Sequence, residues 1–83
     1  MIPDIEEAKY LKDYRVWVKF HDGTQGEVNL EKELWGEVFE PLRDVNFFRQ
    51  LKLDPELHTI VWPNGADFSP EFLYSECRSS KMT

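Results

Sequence analysis

Between Tyr14 and Phe20 the chain alternates: Tyr14, Val16, Val18 and Phe20 are separated by Arg15, Trp17 and Lys19. A period of two is that of a strand with one buried face. Residues 24–30 form the next strand, with Val28 and Leu30 on one parity and Gln25, Glu27 and Asn29 on the other. The loop between them sets their register. A two-residue loop Asp22-Gly23 would place Val16, Val18 and Phe20 opposite Asn29, Glu27 and Gln25, which mixes acid and amide groups into the apolar row. A three-residue loop His21-Asp22-Gly23, with Gly23 left-handed in a G1 bulge, sets Val16 against Val28 and Tyr14 against Leu30. The three-residue loop is therefore the predicted one. A first strand over 6–11 brings Ala8 and Tyr10 to the same apolar face if its own hairpin loop is odd.

From Glu31 the period changes. Leu34, Val38 and Leu42 are four apart, Trp35 and Phe39 likewise, and Phe47, Phe48 and Leu51 follow. This spacing predicts helical pieces broken near Gly36 and Pro41, with Asp44 capping a short helix over 45–50. A brief strand over 51–53, a turn over 54–58 and a strand over 59–62 form a second hairpin.

The segment 59–74 closes the domain. Ile60-Val61-Trp62 suits a half-buried strand, and Pro63, Asn64 and Gly65 carry the dihedral preferences of a chain reversal. Ser69 is an N-cap, Pro70 fits the first helical position and Glu71 lies where the helix dipole favours an anion. Phe68 and Leu73 have the spacing of a hydrophobic staple. The helix from Pro70 is expected to end near Cys77. Three strands, short helices, a hairpin and a last helix make an α+β fold in two layers, with a mostly antiparallel sheet covered by helices. The expected layout is one domain over 1–78 and a flexible polar tail over 79–83.

Composition narrows the function. A hydrophobic fraction of 41% supports a compact core without disulfides, and Cys77 is the single cysteine, so neither a disulfide framework nor paired thiolates for zinc are available. Ten basic against sixteen acidic residues leave a formal charge of −6. That charge repels a phosphate backbone, argues against direct nucleic-acid binding and suits a basic protein partner. The first residues lack the layout of a signal peptide and no apolar run has membrane-spanning length, so a cytoplasmic protein without membrane contact is expected.

Candidate chemistry is sparse, and the expectation is a non-enzyme with no catalytic residue, metal ligand or cofactor. His21 and His58 lie in turns, each far from a second ligand, and read as solvated. Cys77 has no local partner to activate it and reads as a packed thiol. The glycines never approach the spacing of a phosphate loop. Asp67 follows the turn and reads as an acceptor for backbone N–H groups of the turn or of the Ser69 cap region. Trp62, Pro63, Asn64, Gly65, Asp67, Ser69 and Pro70 together read as a structural motif. Trp17 falls on the polar face between Arg15 and Lys19 and opposite Glu27, where a large ring often marks an interface. Arg15, Trp17, Lys19, Gln25 and Glu27 form the candidate interface patch; the alternatives are that a helix or the tail covers the ring, or that neighbouring aliphatic stems pack on it.

Several of these stretches are shared with a known family. Val16-Trp17-Val18-Lys19-Phe20 after Asp13-Tyr14, Asp22-Gly23-Thr24, Val28-Asn29-Leu30, the run 38–44, Phe47-Phe48 and above all the segment 60–74 with its Trp-Pro-Asn-Gly-Ala-Asp core resemble domain-of-unknown-function family 2442, small bacterial proteins. The resemblance covers nearly the whole chain, departing at Asn29, where many members carry Asp. It implies a small α+β fold and supplies no activity or catalytic residue. Members are often encoded beside another small protein, an arrangement similar to toxin–antitoxin pairs. Some relatives add a helix-turn-helix domain, for which this chain has no room, so DNA binding is not expected here. The leading expectation is thus a protein-interaction module, an antitoxin-like partner of a neighbouring small basic protein. Two others stay open: a ligand-binding or enzymatic domain with its site near Trp62, Asn64, Asp67 and the Ser69 helix start, and a subunit that self-associates through an edge strand or the Trp17 face.

Overall fold

The computed structural model describes residues 3–81. Strands β1 (Ile5–Lys12), β2 (Arg15–Phe20) and β3 (Gln25–Asn29) form an antiparallel sheet in the order β1-β2-β3. A separate antiparallel hairpin joins β4 (Lys52–Asp54) to β5 (Thr59–Val61). Between the sheets run 3-10 turns at Glu31–Glu33 and Glu40–Arg43 and a single-turn helix α1 (Val45–Phe48), and the chain closes with helix α2 (Pro70–Lys81). The α+β class and the antiparallel pairing agree with the sequence reading.

The register of β2 and β3 is the expected one. Val16 pairs with Val28, Trp17 faces Glu27, and the Leu30 N–H donates to the Tyr14 carbonyl at 2.8 Å. Gly23 takes φ +92°. Its N–H donates to Phe20 at 3.0 Å while the Phe20 N–H donates to Thr24 at 2.8 Å, which closes a three-residue loop with a G1 bulge. The first hairpin reaches the expected parity by another route. Its loop is the two-residue Asp13-Tyr14, with Asp13 at φ +48°, and an irregularity between Tyr10 and Lys12 adds the odd residue. Ala8 pairs with Val18 and Tyr10 with Val16, so both side chains pack against the core.

The middle of the chain is the expected set of short helical pieces broken at Gly36 and Pro41, but the first two are 3-10 turns and the apolar stripe is not wholly buried. Leu34 and Leu42 are buried, but Trp35 and Val38 are exposed. Gly36, at φ +90°, accepts from the backbone of Phe39 and Glu40, so the run turns there and the spacing of four never becomes a helical face. The piece after Asp44 is also as expected: its carboxylate caps α1 by accepting from the Asn46 N–H at 2.9 Å.

One core fills the space between sheet, hairpin and helix. Val16, Val18, Phe20, Val28 and Leu30 line the inner face of the sheet, and Phe48, Ile60, Trp62, Leu73 and Cys77 close over them. Gly26 lies on that inner face opposite Val18, and a Cβ built there would sit 3.0 Å from the Cys77 sulfur. The missing side chain is what lets α2 approach β3 so closely. The helix runs to Lys81, beyond the end expected at Cys77, so the flexible tail expected over 79–83 begins as helix and its last residues, Met82 and Thr83, lie outside the described ones.

Candidate functional site

The segment 59–74 anchors in the core through Ile60, Trp62, Ala66, Phe68 and Leu73, while its turn residues Pro63, Asn64 and Gly65 are exposed. Trp62 is buried, its ring lies 5.5 Å from Phe48 and 5.7 Å from Phe68, and its Nε1–H donates to the Phe48 carbonyl at 2.7 Å. Thr59 is buried with its hydroxyl donating to the Phe68 carbonyl at 2.6 Å. Pro63-Asn64-Gly65 repeats the design of the first loop. Gly65 takes φ +90°, its N–H donates to Trp62, and the Trp62 N–H donates to Ala66. In each loop the middle side chain accepts from the backbone two residues on: Asp22 from Thr24 at 2.9 Å, Asn64 from Ala66 at 3.1 Å.

Each loop is also tied to another element. The Asn64 side-chain amide donates to the Val38 carbonyl at 2.9 Å. The Tyr74 hydroxyl donates to Asp22 at 2.7 Å, which with the Thr24 N–H holds the Asp22 carboxyl below its ordinary pKa of 3.8. Asp54 is lowered in the same direction by the Leu57 and Glu56 N–H groups it accepts in the second hairpin loop.

Ser69 caps α2, its hydroxyl accepting from the Phe72 N–H at 3.1 Å, with Pro70 opening the helix as expected. Phe68 stacks on Phe72 at 5.6 Å, and Leu73 is buried in the core. Asp67 behaves otherwise than the sequence suggests. Its residue forms a bridge with Val61, but its side chain is exposed and accepts no hydrogen bond from the turn or the cap among the described residues. Asn64 and Ser69 take those donors instead.

The Trp17 patch lies on the outer face of the three-stranded sheet, and its groups are mutually engaged. Arg15 pairs with Glu27, and Lys19 lies 3.4 Å from Glu6. The Lys9 ammonium stands 5.5 Å from the centre of the half-buried Trp17 ring. Gln25 is exposed at the start of β3. These contacts give the Trp17 ring partners within the chain.

A second surface escapes the sequence reading. Trp35 is 69% exposed and Val38 54%, and beside them in the chain Glu37, Glu40, Pro41, Asp44 and Phe47 line an open groove of about 480 Å³. The spacing of Trp35 and Phe39 suggests a helical stripe and hides this surface. The signal that points to it is Gly36, a helix breaker placed directly after the tryptophan and before an acidic run.

The family is decided by one comparison: the model for a protein family of unknown function, DUF2442, matches residues 5–79. The chain belongs to this family. The DUF2442 match spans every strand described above and α2 to within its last turns, so the fold and the family describe the same unit. No curated protein matches the DUF2442 chain, and no solved structure does. Among the described residues no helix is long and apolar enough to cross a membrane, and no group of three His, Cys, Asp or Glu is placed to hold a metal ion.

Proposed function

We propose that this DUF2442 protein is a cytoplasmic protein-interaction module that binds a basic protein, in the manner of the antitoxin-like half of a two-gene pair. The observation that carries this reading is the largely exposed Trp35 in a chain of charge −6. A folded domain of this size normally buries its tryptophans at least in part, and a large ring left in solvent is the side chain most often found at the centre of a contact. Support comes also from how the signature segment is used: Trp62, Asn64 and Ser69 all spend their polar groups on the protein's own backbone. That use weighs against a ligand site at the turn. The net charge favours encounter with a cationic surface and contributes more to the rate of association than to its final strength.

The test is co-expression with the product of the adjacent gene, followed by size-exclusion chromatography at micromolar concentration. Co-elution as one complex is expected. Two separate peaks count against the proposal.

A further inference from the structure

The 35–47 stretch gathers three exposed apolar side chains, whereas Leu11 and Leu57 are exposed singly elsewhere in the chain. Trp35 and Val38 are largely exposed, Val45 partly so, and the groove lined by residues interleaved with them in the chain combines two apolar residues, Pro41 and Phe47, with the three carboxylates of Glu37, Glu40 and Asp44. None of those three carboxylates forms an ion pair among the described residues, whereas the acids of the outer sheet face, Glu6 and Glu27, do.

The backbone that presents this surface is fixed at both ends. Gly36 accepts from Phe39 at 3.2 Å and from Glu40 at 2.9 Å, and the Val38 carbonyl accepts from Asn64. An exposed aromatic on an already ordered backbone loses little further freedom when it is covered.

We infer that this groove docks a cationic amphipathic segment of the partner, with an Arg or Lys head among Glu37, Glu40 and Asp44 and an apolar side chain against Trp35 and Val38. The inference rests on the interaction reading above and names the contact surface and the partner's chemistry. Charge decides the occupant. A second copy of the chain would bring the same three carboxylates toward one another across a two-fold axis, which repels. Among the described residues no group of three His, Cys, Asp or Glu is placed to hold a bare metal ion. A long basic side chain meets both halves of the groove: its aliphatic stem lies on Phe47 and Pro41 and its cation reaches the carboxylates.

The test is a titration of the full ¹⁵N-labelled chain with three synthetic peptides of equal length, alternating Arg with Leu, Glu with Leu, and Arg with Ser. The Arg/Leu peptide is expected to shift the Trp35 indole N–H and the amides of 35–47. Its affinity should fall at least about tenfold in Trp35→Ala, the loss typical of a contact-centre tryptophan, and by a similar factor in the charge-reversed E37K/E40K, while Trp17→Ala leaves it unchanged. Equal binding of the Glu/Leu or the Arg/Ser peptide overturns the inference, as do shifts confined to the outer sheet face. A dimer of the free protein, seen in sedimentation and abolished by Trp35→Ala, assigns the groove to a second copy and overturns it too. If the co-expressed partner still co-elutes with E37K/E40K, the groove assignment fails and the interaction reading stands.

Discussion

Trp62 is an apolar side chain with one polar atom, and burial obliges that atom to find an acceptor. It finds the Phe48 carbonyl at the end of α1, so one indole joins the second hairpin to the middle of the chain. Trp62→Phe keeps an aromatic ring and removes the donor, leaving the buried Phe48 carbonyl with only the longer bond from the Leu51 N–H at 3.3 Å. The expected loss is about 1–3 kcal/mol, read as a lower urea midpoint, and an unchanged midpoint would deny the bond any role. Gly26 makes the opposite kind of contribution, through an atom it lacks. Ala there would reduce the freedom of the unfolded chain, a gain of about 0.4–1 kcal/mol, but its Cβ would crowd a buried sulfur at 3.0 Å. Overpacking of a fixed interface costs about 1–3 kcal/mol, so Gly26→Ala should destabilise. Adding Cys77→Ala removes the crowding atom, and the double variant should recover part of the loss in a mutant cycle. A cycle with no coupling would place the cost elsewhere.

Among elements, the two G1-bulge loops reverse the chain, one between β2 and β3 and one between β5 and the bridge at Asp67. Gly23 and Gly65 stand at φ +92° and +90° with open space around them, so Ala at either position is opposed by backbone strain and not by a clash. Each substitution should cost roughly 1 kcal/mol or more in thermal or urea unfolding. The first loop is held to α2 by Tyr74 and Asp22, and this contact titrates. Because the folded pKa of Asp22 lies below its ordinary value of 3.8, its contribution is fully present above that value and is lost as pH falls through the lower folded one. Melting temperatures of the wild type and Asp22→Asn should therefore differ most near neutrality and converge in acid below about pH 3.8. A constant difference across that range would rule out the charge as the cause.

The register of β2 and β3 is legible in the sequence because Gly23 selects the loop and the alternation of Val16, Val18 and Phe20 selects the parity. The Ser69-Pro70 helix start is legible for a similar local reason. The first hairpin conceals its bulge because nothing in Tyr10-Leu11-Lys12 marks an extra residue. In the middle segment the short helical pieces and their breaks at Gly36 and Pro41 are legible, but the spacing of four suggests a buried stripe, whereas Trp35 and Val38 stay outside, and so their surface goes unread. Asp67 fails as an expected acceptor because Asn64, already inside the turn, and Ser69, already at the cap, are closer to the donors in sequence.

At the scale of the molecule, a chain this small depends on a single core shared by every element, so it should unfold as one cooperative unit. Its three tryptophans report on different layers: Trp62 inside, Trp17 half-covered by its sheet neighbours, Trp35 outside. Fluorescence quenching by acrylamide should thus be reduced strongly by Trp35→Phe and little by Trp62→Phe, and the reverse order would contradict the placement of both rings. The Cys77 thiol at the seam between α2 and β3 adds a chemical gauge to these optical ones. Fully shielded in the folded chain, it can meet a maleimide only when the last helix lifts from the sheet, so its alkylation rate in native buffer measures how often that seam opens.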